Sequence, residues 1–358
     1  MNPRDAIIQL YRRQGAAAIA PQFDLCPSLH DAYRARYGDG KAYADRFGCA
    51  LRRMWDTPHC GGPWDTERWY GDQQFKPGTS FDDWGIGHEP GSDAAHHMTR
   101  MWHPLAQAEL ADLELYPFPD WSADPSAAMR DQVTDLHSRG LAACGDMACT
   151  VWERAWYLRG MERLVYDFVE NPEFANALLD LITARSCRRA AAFAAAGVDV
   201  LHLGDDVGTQ SRLMMSPVTY RTWLKPRLAA VIAAAKAAKP DIIVRYHSCG
   251  YVVELIPDLI EAGVEVLDPI QPESMDVAGL VREFGSELSF NGGLGTQTLM
   301  PHGTPQEVRL ETHRLLELAG ERGGLLPCPT HLLEPEVPWD NIEAYVQACR
   351  EWNALVLG

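Results

Sequence analysis

The chain has 358 residues, of which 49 are acidic and 32 basic, for a net charge of −17. That balance argues against nucleic acid and anionic membranes as partners, because both would repel it. A hydrophobic fraction of 46% excludes a disordered chain, and the length suits one large α/β barrel or two ordinary domains.

The first stretch, MNPRDAIIQLYRRQG, predicts an N-terminal helix within about residues 1–20 and lacks the apolar run of a signal peptide. Nine cysteines, at 26, 49, 60, 144, 149, 187, 249, 328 and 349, have scattered spacing. They read as free thiols in a reducing cytoplasm. Residues of about 50–119 are rich in Trp, Gly, Asp and Pro. This stretch reads as a long decorated loop region within a single domain spanning 1–358. Its aromatics, Trp55, Trp64, Trp69, Tyr70 and Trp84, argue against disorder. Trp84 is expected to form an apolar wall of the substrate site. The competing expectation is that these aromatics form the interface of a homodimer.

From Val198 onward the pattern is regular. Residues 198–203 (VDVLHL) predict a strand, and 217–239 a helix capped by Ser216 ahead of Pro217. Strand-like 242–246 precedes a helix over 252–262 that ends at Gly263. Residues 264–267, a helix over 277–284, strand-like 288–291 and a helix over 305–318 capped by Thr304 follow. The last strand is 324–327 and the last helix 341–354. Five strand–helix units in a row imply parallel strands with right-handed crossovers. An open doubly wound sheet and a closed (β/α)8 TIM barrel both fit. The length, and polar residues after every strand, favour the barrel. The Ala-rich run from Leu228 to Ala238 is too short to span a bilayer.

Those polar strand ends carry the chemistry. They are Asp205-Asp206, His247-x-Cys249, Asp268 with Gln271, Asn291-Gly292-Gly293, and Cys328-x-x-His331. In a parallel barrel all of them open on one face. An imidazole and a thiol two residues apart supply half of a metal site, and Cys328 or His331 would complete it. Zinc takes such mixed N/S ligands, deprotonates bound thiols and leaves one position open for substrate. Asp206 and His331 are candidates for acid–base work. Asp205, Gln210, Gln271 and Asn291 are candidates for substrate contacts. The plain alternatives are a core histidine, a buried cysteine, a helix-capping aspartate and solvated glutamines. No phosphate-binding loop, dinucleotide fingerprint or nucleophile-elbow serine occurs.

At these residues the chain resembles the uroporphyrinogen decarboxylase superfamily, which includes the zinc-dependent cobalamin methyltransferases. The resembling pieces are ERAWYLRGMERLVYDFVENPE, GDDVGTQSRLMMSP, YHSCG, LDPIQPESMD, FNGGLGTQ and PTHLLEPEVPWDNI. The resemblance implies a (β/α)8 barrel with its site at the C-terminal mouth. His247 and Cys249 match two zinc ligands of the methyltransferase branch. The third ligand position falls on His331, with Cys328 the alternative. The decarboxylase branch carries an Arg-rich N-terminal stretch. Here the corresponding AAAIAPQFDLCPS has no arginine.

Asp135-Leu136-His137-Ser138-Arg139-Gly140 matches the opening of a corrinoid-binding motif, but its later elements are absent. The resemblance therefore implies zinc in the chain and cobalamin on a separate corrinoid protein. A methyl group would move between that cobalamin and a thiol or a methoxylated small molecule. The alternative is a metal-free lyase acting on a carboxylated substrate, with a non-catalytic binding barrel as a third class.

Overall fold

The computed structural model describes residues 1–15, 18–56, 64–90, 99–320 and 322–357. Residues 57–63 and 91–98 of the Trp-rich stretch, and with them Cys60, lie outside the described residues. In chain order the strands are β1 (Leu51–Met54), β2 (Ser80–Phe81), β3 (Gly87–Glu89), β4 (Arg100–Trp102), β5 (Ala142–Ala148), β6 (Val200–Gly204), β7 (Ile243–His247), β8 (Val266–Ile270), β9 (Ser289–Leu294) and β10 (Leu325–Pro329). Seven of them pair in the order β1-β5-β6-β7-β8-β9-β10, every neighbour parallel. Strands β2, β3 and β4 form a separate antiparallel sheet.

The seven-stranded sheet curls, and residues 22–25 fill the eighth place between β10 and β1. The Cys26 N–H donates to the Leu333 carbonyl at 2.9 Å and the Leu333 N–H to the Asp24 carbonyl at 2.8 Å. On the other side the Leu51 N–H donates to Gln22 Oε1 at 3.2 Å. The result is a (β/α)8-type barrel with helices outside, the architecture expected from alternating strands and helices.

Local signals account for the helix ends. Ser216 accepts the Thr219 N–H, and Thr304 forms a reciprocal capping box with Glu307. Gly263, at φ 102°, ends the helix Ile256–Ala262 in the left-handed conformation. The expected helix over 217–239 is instead two, Pro217–Trp223 and Lys225–Ala238. Pro226 has no N–H to return to the Thr222 carbonyl, so the helix breaks at Leu224. Strand β1 lies inside what reads as a loop region, because Arg52 and Arg53 interrupt its apolar run. Both arginines are paired: Arg52 with Asp45, and Arg53 with Asp24 and Asp146.

Eight cysteines of the described residues are free thiols. Among the described residues no helix is long and apolar enough to cross a membrane.

Next to the barrel the helix Trp152–Arg159 is anchored by a fully buried ion pair. Arg159 Nε donates to Asp167 at 2.6 Å, and its Nη1 donates to the Leu105 carbonyl at 2.6 Å and the Ala108 carbonyl at 2.8 Å. Removing Arg159 leaves the buried Asp167 carboxylate with only the half-exposed Arg163 at 3.4 Å, and removing Asp167 leaves a buried guanidinium without its counter-charge. Arg159→Leu is therefore expected to lose about 3–5 kcal/mol of stability in urea unfolding. The double variant Arg159→Leu/Asp167→Leu should recover much of that loss.

Candidate active site

In parallel strands, residues paired in register point to the same side of the sheet. Asp146, His202 and Arg245 pair in one row across β5, β6 and β7. All three are buried at 4% exposure or less, so a barrel layer normally filled by aliphatic side chains is ionic here. Its charges are matched. Arg53 contacts Asp24 at 2.9 Å and Asp146 at 3.2 Å. Arg245 Nε lies 3.7 Å from Asp268 and donates to His202 Nδ1 at 3.0 Å. Burial works against ionisation of Asp268, yet Arg245 and His247 hold its carboxyl far below the usual carboxylate range. Burial first, then Arg245, pushes the His202 imidazole well below its ordinary pKa.

This layer floors a chamber of about 380 Å³. Arg53, His202, Arg245, His247 and Asp268 line it, together with residues 22–25 and the strand end Pro329 to Leu332. A larger depression of about 920 Å³ around Gly160 and Asn171 has none of the strand-end groups in its wall.

His247 links the chamber to a second cluster. Its Nδ1 lies 3.5 Å from Asp268, while its Nε2 is 3.3 Å from Cys249 Sγ and 3.8 Å from Asp206 Oδ1. Burial alone would lower the His247 pKa, but the Cys249 sulfur and the Asp268 carboxylate outweigh it and the net shift is well upward. Donor atoms of Asp206, His247 and Cys249 all lie within 4.8 Å of one another. One nitrogen, one sulfur and one oxygen are the donor types zinc accepts, and three protein ligands leave a fourth position open. The set therefore fits a zinc ion.

Backbone contacts hold the cluster. The Cys249 N–H donates to Asp206 Oδ1 at 2.7 Å and the Gly250 N–H to Gln271 Oε1 at 2.9 Å. The Tyr251 N–H donates to the Thr209 carbonyl at 2.7 Å, joining the loops after β6 and β7. Gly250, at φ 77°, has no room for a Cβ, which would collide with that same Thr209 carbonyl.

Several of the sequence-derived candidates sit elsewhere. Asp205 accepts the N–H groups of Val151 and Glu153 at 3.1 and 2.8 Å, so it caps the helix Trp152–Arg159. Burial, then the Glu153 charge, pushes its carboxyl up to about 8. Cys328 is buried within β10 and belongs to neither donor group; burial above all keeps its thiol protonated. His331 lines the chamber beside His247 but is not in a donor group either. The donor atoms grouped with those of His247 and Cys249 are those of Asp206. Gln271 positions Gly250, and Gln210 is exposed, accepting the Ser274 hydroxyl at 3.1 Å. Asn291 is enclosed deeper in the barrel, beside Tyr11.

Trp84 is buried and is not among the residues that line the chamber. The Arg154 guanidinium lies over its ring at 4.9 Å and also over Tyr157 at 5.8 Å. Tyr157 donates to Glu153 Oε1 at 2.9 Å. Burial and the facing Asp206 raise the Glu153 pKa. Trp84 therefore backs the site at one remove. His137 of the corrinoid-like stretch bonds Asp199 at 2.9 Å, just before β6 begins and so at the end of the barrel away from the strand ends.

Glu153, Tyr157, His202 and Arg245 were not singled out in the sequence. Glu153 and Tyr157 lie on the short helix Trp152–Arg159, and His202 and Arg245 lie inside apolar runs. For His202 and Arg245 the available signal was a polar residue within an apolar strand-like run.

A parallel barrel with titratable groups gathered at the carboxyl ends of its strands is the arrangement of a barrel enzyme. Residues 144–352 match the uroporphyrinogen decarboxylase (URO-D) family, and the chain belongs to that family. It is 28% identical over 204 residues to a methylated-thiol–coenzyme M methyltransferase of Methanosarcina mazei. That match covers 55% of this chain and 50% of the relative, so the chain spans half the length of the relative it matches. It is 24% identical over 260 residues to the uroporphyrinogen decarboxylase of Pseudomonas fluorescens, covering 68% and 69% of the two chains. A solved methyltransferase from Methanosarcina mazei shares the fold at TM-score 0.66 and 18% identity, over 98% of this chain and 99% of that one. Both kinds of named relative are enzymes.

Orienting partners behind metal ligands are typically worth 10–100-fold in metal affinity. Gln271→Leu removes the acceptor for Gly250 and should weaken zinc binding by about that factor, measured by competition with a chromophoric chelator. Gly250→Ala should weaken it at least as much, because the added Cβ forces the two loops apart.

Proposed function

We propose that this chain is a zinc-dependent methyltransferase that moves a methyl group between a small molecule, a thiol or a methoxylated compound, and the cobalamin of a separate corrinoid protein. The observation that carries this reading is the convergence of Asp206, His247 and Cys249 within 4.8 Å beside the chamber. Zinc held there would supply Lewis acidity, lowering the pKa of a thiol or of a leaving hydroxyl.

The remaining work falls to the chain. Asp268 fixes the His247 ring through Nδ1, leaving Nε2 for the metal side. The Cys249 N–H fixes the Asp206 carboxylate. Glu153, bonded to Tyr157, is the neighbouring group suited to take the proton released by a thiol or to return one to a leaving oxygen. His331, in the chamber wall, is the second such group. The chamber volume suits a small molecule.

The lyase alternative draws on the decarboxylase relatives. A polycarboxylated substrate needs unmatched cations, and here Arg53 and Arg245 already face aspartates. That favours the methyltransferase.

Purified chain should carry about one zinc. Asp206→Ala and Cys249→Ala should each lose at least tenfold in zinc affinity while the chain stays folded. Cys328→Ala and His331→Ala should keep the metal. With free reduced cobalamin as acceptor, the wild-type chain should move methyl groups from a methylthiol or methoxy donor, followed by visible absorbance. A chain that purifies and works without metal, releasing carbon dioxide from a carboxylated substrate, would replace this reading with the lyase.

A further inference from the structure

The chamber floor says which small molecules it accepts. His202 is 2% exposed, yet it lines the chamber. Its Nδ1 receives the Nε–H of Arg245 at 3.0 Å. A guanidinium has no acceptor and keeps its protons, so this contact requires an unprotonated Nδ1. The ring is therefore held as the Nε2–H tautomer and offers a donor without a charge.

His202, His247 and Asp268 also form a group of three potential metal ligands. In that group the Asp268 carboxylate lies 4.0 Å from His202 Nδ1 and 3.5 Å from His247 Nδ1. Arg245 occupies the cation position among them, 3.7 Å from Asp268 and bonded to His202. A second metal ion would have to displace a guanidinium whose charge is already matched.

The charges around the chamber decide the substrate class. Arg53 is matched by both Asp24 and Asp146, and Arg245 by Asp268. Asp268 and Asp206 flank the two nitrogens of His247. Among the described residues, an anion entering here meets guanidinium groups that already face aspartates and, in the chamber wall itself, the carboxylates of Asp24 and Asp268. Desolvating it there without a partner is costly. A neutral oxygen meets the His202 donor instead.

We propose that His202, oriented by Arg245, is a specificity determinant that selects uncharged substrates bearing an ether or hydroxyl oxygen and disfavours carboxylates, sulfonates and phosphates. The inference rests on the reading of this chamber as the substrate site of the proposed methyltransferase, and names its substrate class.

The test is calorimetric titration of the zinc-loaded full chain with two probes of similar shape, 2-methoxyphenol and 2-methoxybenzoate. The phenol should bind at least about tenfold tighter than the benzoate. His202→Phe should weaken phenol binding about five- to tenfold, the usual worth of one hydrogen bond to a neutral group. Zinc content should not change. His202→Gln, which keeps a neutral donor, should restore much of the affinity. The comparison of the two probes on the wild-type chain needs no variant to fold. Tighter binding of the benzoate, binding of neither probe, or phenol affinity unchanged in His202→Phe would each overturn the proposal. A chain that discriminates as expected but moves no methyl group would remove the methyltransferase reading and leave this one standing.

Discussion

The carboxylate of Asp268 joins the two halves of the site. It lies 3.7 Å from Arg245 Nε and 3.5 Å from His247 Nδ1, enclosed between two groups that stabilise its charge. Through Arg245 it orients His202 in the chamber floor. Through His247 it orients the imidazole that faces Cys249 and Asp206. Neither arginine nor carboxylate is tolerable alone at this depth, because removing one leaves the other buried and unpaired. The chamber and the donor cluster are thus built around one buried carboxylate.

The precision of the donor cluster comes from backbone, not from side-chain packing. Three strand-end loops touch there. The loop after β6 gives Asp206 and the Thr209 carbonyl, the loop after β7 gives the N–H groups of Cys249, Gly250 and Tyr251, and the end of β8 gives Gln271. Gly208 and Gly250 make this approach feasible, since a Cβ on either would strike the facing backbone. Short, rigid connections of this kind fix the separation of the three donor groups.

The chamber wall holds its arginines in internal pairs. An enzyme that grips several carboxylates needs arginines with free hydrogen-bonding edges. Here the two arginines of the chamber wall are spent on internal aspartates and on a histidine. Their role is to shape and polarise the wall.

Much of the architecture was legible from the amino-acid order alone. Hydrophobic period and capping residues marked the alternating strands and helices from Val200 onward. Parallel topology then required that Asp206, His247, Gln271 and His331 come from strand ends on one face. The sequence could not reveal β1, because Arg52 and Arg53 look like surface residues until their partners Asp45, Asp24 and Asp146 are known. It could not separate Asp205 from Asp206 either. Adjacent carboxylates read alike in a sequence, while in the barrel one caps a helix and the other meets a thiol. The interior row of Asp146, His202 and Arg245 was hidden for the same reason. A polar group within a strand is satisfied by residues more than 20 positions away, and such pairings exist only once register and curvature bring the strands together. Local propensity therefore settled which elements form and in what order. Tertiary structure alone decided which titratable groups face each other, because that depends on distances between segments that local sequence does not encode.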